Sequence, residues 1–203
     1  MGSQTGQSRG SVVFLAIVDI ATFVADLKDH AADHGFHVHD DRHFVETYSM
    51  RQAWEVDLHP AAACGGPLDV HITLEVDPRV MLSFEDHVME LPEGVAPTED
   101  FRLPMVVSWS LPPLPDGPDL LLLATDLAGI GGMELPLDVS AIDAYAAVTD
   151  APERTISITA RVEVSITGMF TGQECLGGVL PKVAEISEFL LDRAPAWLGD
   201  DLI

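Results

Sequence analysis

Basic residues are scarce in this 203-residue chain, where 10 lysines and arginines stand against 33 aspartates and glutamates for a formal net charge of −23. Nonspecific binding to nucleic acid or to an anionic membrane surface depends on clustered Lys and Arg, so the expectation is no nucleic acid and no membrane among the partners. Cysteine is nearly missing, with only Cys64 and Cys175. No secretion signal is evident, so reduced thiols and a cytoplasmic location are expected. Long apolar runs are lacking too. No stretch approaches the roughly 18 uncharged apolar residues of a membrane span. The run at 12–18 stops at Asp19 and reads as a buried strand after a Gly/Ser-rich tail at 1–11, which is expected to be disordered.

Complete catalytic motifs are also absent. The one Gly-x-Ser-x-Gly match, Gly6 to Gly10, falls in the Gly/Ser-rich tail without the preceding apolar strand that a nucleophile elbow requires. Gly129, Gly131 and Gly132 are followed by Glu134 and Pro136, so the phosphate-binding fingerprint is incomplete and 129–136 is expected as a loop. Cys175 has no histidine after His87 to serve as a local base.

What remains is a chain with 47% hydrophobic residues, 21% charged residues and a mean hydropathy of +0.22. That is far from the composition of a disordered chain and predicts one α+β domain over 12–203. Pro112, Pro113, Pro115 and Pro118 mark a candidate subdomain break at 112–118.

Asp19 as N-cap, apolar positions at Ile20, Phe23, Val24, Leu27 and Ala31, and Gly35 as a stop predict a helix over 19–34. The period then changes to two. Trp54, Val56 and Leu58 alternate with Glu55, Asp57 and His59, and Leu68 through Val76 alternate in the same way, which predicts a hairpin with one wet face. Strands are further expected over 80–91, 105–111, 120–125 and 156–167, a short helix over 140–148, and a closing helix from Pro181 with Val183, Ile186, Phe189 and Leu190 as its stripe.

This order does not alternate as in a βαβ protein. It predicts a curved, mainly antiparallel sheet of about 6–8 strands, with an N-terminal and a C-terminal amphipathic helix packed on one face. The order of elements is similar to that of START-type helix-grip domains, a resemblance of architecture alone.

Two groups of side chains invite chemistry. Five of the eight histidines, His30, His34, His37, His39 and His43, lie within fourteen positions, together with Asp41. Neutral imidazole is the commonest zinc ligand, and both the four-residue helical spacing of His30 and His34 and the two-residue spacing of His37 and His39 place pairs on one side. The segment HVHDD resembles the HxHxD portion of the metallo-β-lactamase motif, although Arg42 stands where that family has histidine. His30 and His34 form an HxxxH pair with Ala31 where zinc peptidases carry glutamate. Zinc or another divalent metal is the implied cofactor.

The second group follows from pairing parity. If the hairpin buries both apolar sets on one face, opposed residues have an even index sum, such as 126 or 128. His71 then faces Glu55 or Asp57, and His59 lies near Pro67 or Asp69, giving a His-carboxylate surface of Glu55, Asp57, His59, Asp69 and His71 able to bind a cation or exchange a proton.

The functional expectation is a non-enzymatic binding module for an apolar small molecule or a protein partner. Its alternatives are a metal-dependent, hydrolase-like enzyme using the His30–His43 cluster, and an acidic partner-binding protein of the kind secretion chaperones exemplify, with a homodimer as its candidate state.

Overall fold

Asp19 caps the first helix as its position in the sequence demands: its carboxylate accepts from the Thr22 amide at 3.0 Å and from the Thr22 hydroxyl at 2.8 Å, and α1 runs Ile20–Asp33. The computed structural model describes residues 18–115, 117–145, 153–173 and 176–199. Of the run expected as a strand at 12–18, only Val18 is among them, and it is buried. The tail at 1–11 lies outside the described residues.

At Gly35, φ is +83°, a left-handed conformation that reverses the chain into β1 (Phe36–Val45). β2 (Gln52–Pro60) and β3 (Asp69–Val76) follow as the expected hairpin, joined through a short 3-10 turn at Ala61–Ala63. β4 (Arg102–Ser110), β5 (Leu137–Ala144) and β6 (Glu153–Ser165) complete, among the described residues, one open sheet of six strands in the order β1-β2-β3-β4-β6-β5, every neighbouring pair antiparallel. The α+β class and the antiparallel sheet therefore match the sequence pattern.

Three apolar segments take the opposite secondary structure from the one expected. Residues 80–91 form a helix, α2 (Pro78–Glu90), because Asp77 caps the Arg79 amide at 2.9 Å, Pro78 occupies the first turn, and Val80, Phe84 and Val88 recur every four residues. Residues 120–125 open a second helix, α3 (Leu120–Gly131), capped by Asp119 at the amides of Leu121 (2.9 Å) and Leu122 (3.1 Å). The helix also absorbs the first part of the loop expected at 129–136. Conversely, 140–144 lie in β5 rather than in a helix, because Leu137, Val139 and Ala141 oppose Ala160, Ile158 and Ile156 of β6, and cross-strand packing overrides the helix propensity of alanine. The rest of the helix expected at 140–148 lies outside the described residues, apart from Tyr145. The strand expected to reach Thr167 ends at Ser165, whose hydroxyl accepts from the Gly168 amide and starts α4 (Ile166–Thr171). α5 (Val179–Leu198) is the expected closing helix, with Pro181 in its first turn.

The alternate positions of the sheet share one core with the helices. Val56, Ile72, Met105, Val107, Ile158 and Val164 are buried with Leu27 of α1, Leu127 of α3, and Val183, Ile186 and Leu190 of α5. Helix α1 packs against β1, α3 against β5 and α5, and α5 also against β2. The indole of Trp109 donates to the Ser187 hydroxyl at 3.0 Å inside this core, satisfying a buried polar pair. Among the described residues, no helix is long and apolar enough to cross a membrane.

Candidate functional site

The hairpin register has the index sum 128. Asp57 opposes His71, and His71 in turn opposes Ser108 of β4. This parity leaves Glu55, Asp57, His59, Asp69 and His71 together on the sheet face opposite Val56, Leu58, Val70 and Ile72, as the sequence pattern implied. Asp57 is the hub. It lies 2.5 Å from His71 Nδ1 through one oxygen and accepts from Arg42 Nη2 at 2.7 Å through the other. Because a carboxylate only accepts, His71 carries a proton on Nδ1. Its Nε2 is directed toward Glu55 at 3.9 Å, beyond hydrogen-bond distance, and the same Glu55 lies 3.6 Å from Arg42.

Asp57, His71 and Ser108 form a row across three strands, yet they do not form a nucleophile relay. The Ser108 hydroxyl donates to the His71 carbonyl at 3.4 Å, not to its imidazole. Beside this row, His59 Nε2 contacts Asp69 at 3.0 Å, and the His39 ring meets His59 edge-on at a centroid distance of 4.1 Å. Among the described residues, His59 Nδ1 is buried without a hydrogen-bond partner.

The residues expected to chelate a metal are spread over three places. His30 lies on α1, and His34 ends that helix with its amide on the carbonyls of His30 and Ala31. On β1 the register shifts between Val38 and Asp40. A bulge of one residue reverses side-chain parity beyond it. His37 therefore opposes His59 on the polar face, whereas Asp41 and His43 oppose Val56 and Trp54 on the other. Asp41 pairs with Lys28 of α1 at 3.2 Å, and His43 stacks on Trp54 at 3.9 Å while contacting Gln52 at 2.9 Å. Among the described residues, no group of three or more His, Cys, Asp or Glu side chains is placed to hold a metal ion.

Sequence reasoning did not find Arg42 as the cation beside Asp57 and Glu55, since its orientation depends on the bulge. It also missed a groove of about 500 Å³ between α1 and α4. Val18, Phe23 and Leu27 form one wall of this groove, and Met169, Phe170 and Leu176 the other. Phe170 is fixed by an edge-on contact with the fully buried Phe84 of α2 at 5.6 Å, and Phe84 is flanked again by Phe101 at 5.4 Å. Asp19, Asp26 and His30 add polar groups to the lining. The Thr22 amide and hydroxyl hold the Asp19 carboxyl below the usual carboxylate range, so the groove carries a negative charge at neutral pH. The apolar periodicity of α1 was legible, but its partner wall comes from α4, a short helix without a distinct sequence pattern.

No family model, no curated protein and no solved structure matches the chain.

Proposed function

We propose that the protein is a non-enzymatic binding module whose α1–α4 groove receives an apolar group, from a small molecule or a protein side chain, bearing a positive charge at its exposed end. The groove itself carries the reading: apolar walls contributed by two elements, with the carboxyl groups of Asp19 and Asp26 among its lining. Apolar burial supplies the driving force, and the carboxylates select for charge. A cytoplasmic location and reduced thiols fit this reading. The metal-dependent alternative needs three ligands of the His30–His43 cluster to converge, and among the described residues no such group is placed to hold a metal ion.

Nile red, a neutral apolar dye, tests the groove. Its fluorescence is expected to saturate at one dye per chain, and Phe23→Asp or Met169→Asp to weaken binding about tenfold with an unchanged circular dichroism spectrum. Decylamine should displace the dye at lower concentration than decanoate. Unaltered binding by both variants, or equal displacement by the two amphiphiles, would refute the proposal.

A further inference from the structure

The sheet is open, and its two ends differ in how they are guarded. Exposed backbone on an edge strand is a template for another strand, which proteins normally blunt with bulges, prolines or charges. β1 carries a bulge at His39 and the side chains of His37, Asp40, Asp41 and Arg42. β5 has none of these devices in the same measure. Its register with β6 runs without a shift from Leu137↔Ala160 to Ala144↔Glu153, and it contains no proline, lysine or arginine. Asp143 is the charge on its core-facing side, and Arg154 of β6 takes it in a bidentate pair at 2.6 and 2.9 Å, so that charge does not repel an incoming strand. Among the described residues, β5 pairs with β6 alone.

We infer that the free edge of β5 docks an extended segment of a partner protein in which basic residues alternate with apolar ones. The two faces of β5 dictate that alternation. On the core side, Leu137, Val139 and Ala141 are only partly buried, so apolar side chains of an added strand would continue the core there. On the opposite face, Asp138 is exposed, and a lysine or arginine of the added strand would lie beside it. Ile142 on that face is 74% exposed and Tyr145, just beyond the strand, 73%, apolar surfaces against which the aliphatic stems of those basic residues would lie. Net charge distinguishes this occupant from a second copy: two chains of −23 repel, whereas a basic segment is attracted over a long range.

The probe is a fluorescein-labelled, acetylated octapeptide alternating lysine with valine, titrated into the full chain at low salt and followed by anisotropy. Saturable binding is expected, together with slower hydrogen exchange at the amides of 137–144 and none of that slowing in β1. The double substitution Asp138→Lys and Ile142→Lys, at two exposed positions, should weaken binding about tenfold while leaving the circular dichroism spectrum intact. Phe23→Asp in the groove should leave it unchanged, so this inference and the groove reading fail separately. The inference is overturned by absence of saturable binding, by equal binding of an octapeptide alternating glutamate with valine, or by equal binding to the double variant. It is likewise overturned by light scattering that shows a dimer which Ile142→Lys dissociates, since the edge would then belong to a second copy.

Discussion

The outer strands β1 and β5 terminate the same sheet with ten and eight residues, respectively, but they are stabilised by different forces. Beyond the bulge, β1 is exposed on both sides and is held by polar contacts: Arg42 to Asp57, Asp41 to Lys28, and His43 on Trp54. β5 packs on α3 with apolar side chains along most of its length: Leu137, Val139 and Ala141 lie against the core, as does the fully buried Leu127 of α3. Charge and irregularity thus guard one edge, while the other is firmly seated and its free side is unguarded. The difference shows that an edge strand's stability and its resistance to further pairing are separate properties, because packing uses the sheet face and pairing uses the backbone edge.

Three measurements sharpen or break this comparison. The largest effect is expected from Leu127→Ala, which truncates a fully buried side chain of the helix packed on β5 and should destabilise the protein by about 3 kcal/mol in chemical denaturation. Hydrogen exchange should accelerate in β5 more than in β1. A cost below about 1 kcal/mol, or acceleration spread evenly over both edges, would show that α3 does not support β5 in this way.

A smaller change is expected at the polar edge. Arg42 is 44% exposed, so Arg42→Ala should cost no more than about 1 kcal/mol, and the difference from the parent should shrink in high salt as the pairs to Asp57 and Glu55 are screened. A salt-independent loss would mean that the arginine acts through its aliphatic stem.

The smallest effect concerns the charge pair of β5. The hydrogen bonds from Arg154 hold the Asp143 carboxyl below the usual carboxylate range. A depressed folded-state value means that the pair's stabilisation is present above the unfolded aspartate value of about 3.9 and is lost as pH falls through the folded value. Carboxyl-carbon NMR should therefore find Asp143 titrating below the ordinary aspartate range, and Arg154→Gln should return it toward that range. An ordinary titration in the parent protein would remove the argument that this charge is neutralised by Arg154.

The polar face was readable before the fold was known. Alternation in 54–59 and 68–76 restricted the hairpin to an even index sum, and the sum 128 brings His71 to Asp57 and His59 to Asp69. The helices α1 and α5 were legible from caps and stripes. The apolar segments in between were not. Leu120 to Leu123 is apolar without a period, so only its length and the Asp119 cap distinguished a helix from a buried strand. In 80–91 the cap at Asp77 and Pro78 outweighed a local alternation, and in 140–144 pairing with β6 outweighed alanine.

The sequence alone determined which side chains share a strand face, because alternation along a regular strand is a local property of the backbone. It also determined where α1 begins, because Asp19 and Thr22 are close in the chain. Only the tertiary structure decided which strands became edges, how the bulge at His39 divided the histidines, and that α4 would lie opposite α1 to form a groove. Each of these depends on contacts between residues distant in sequence, whose geometry no local pattern encodes.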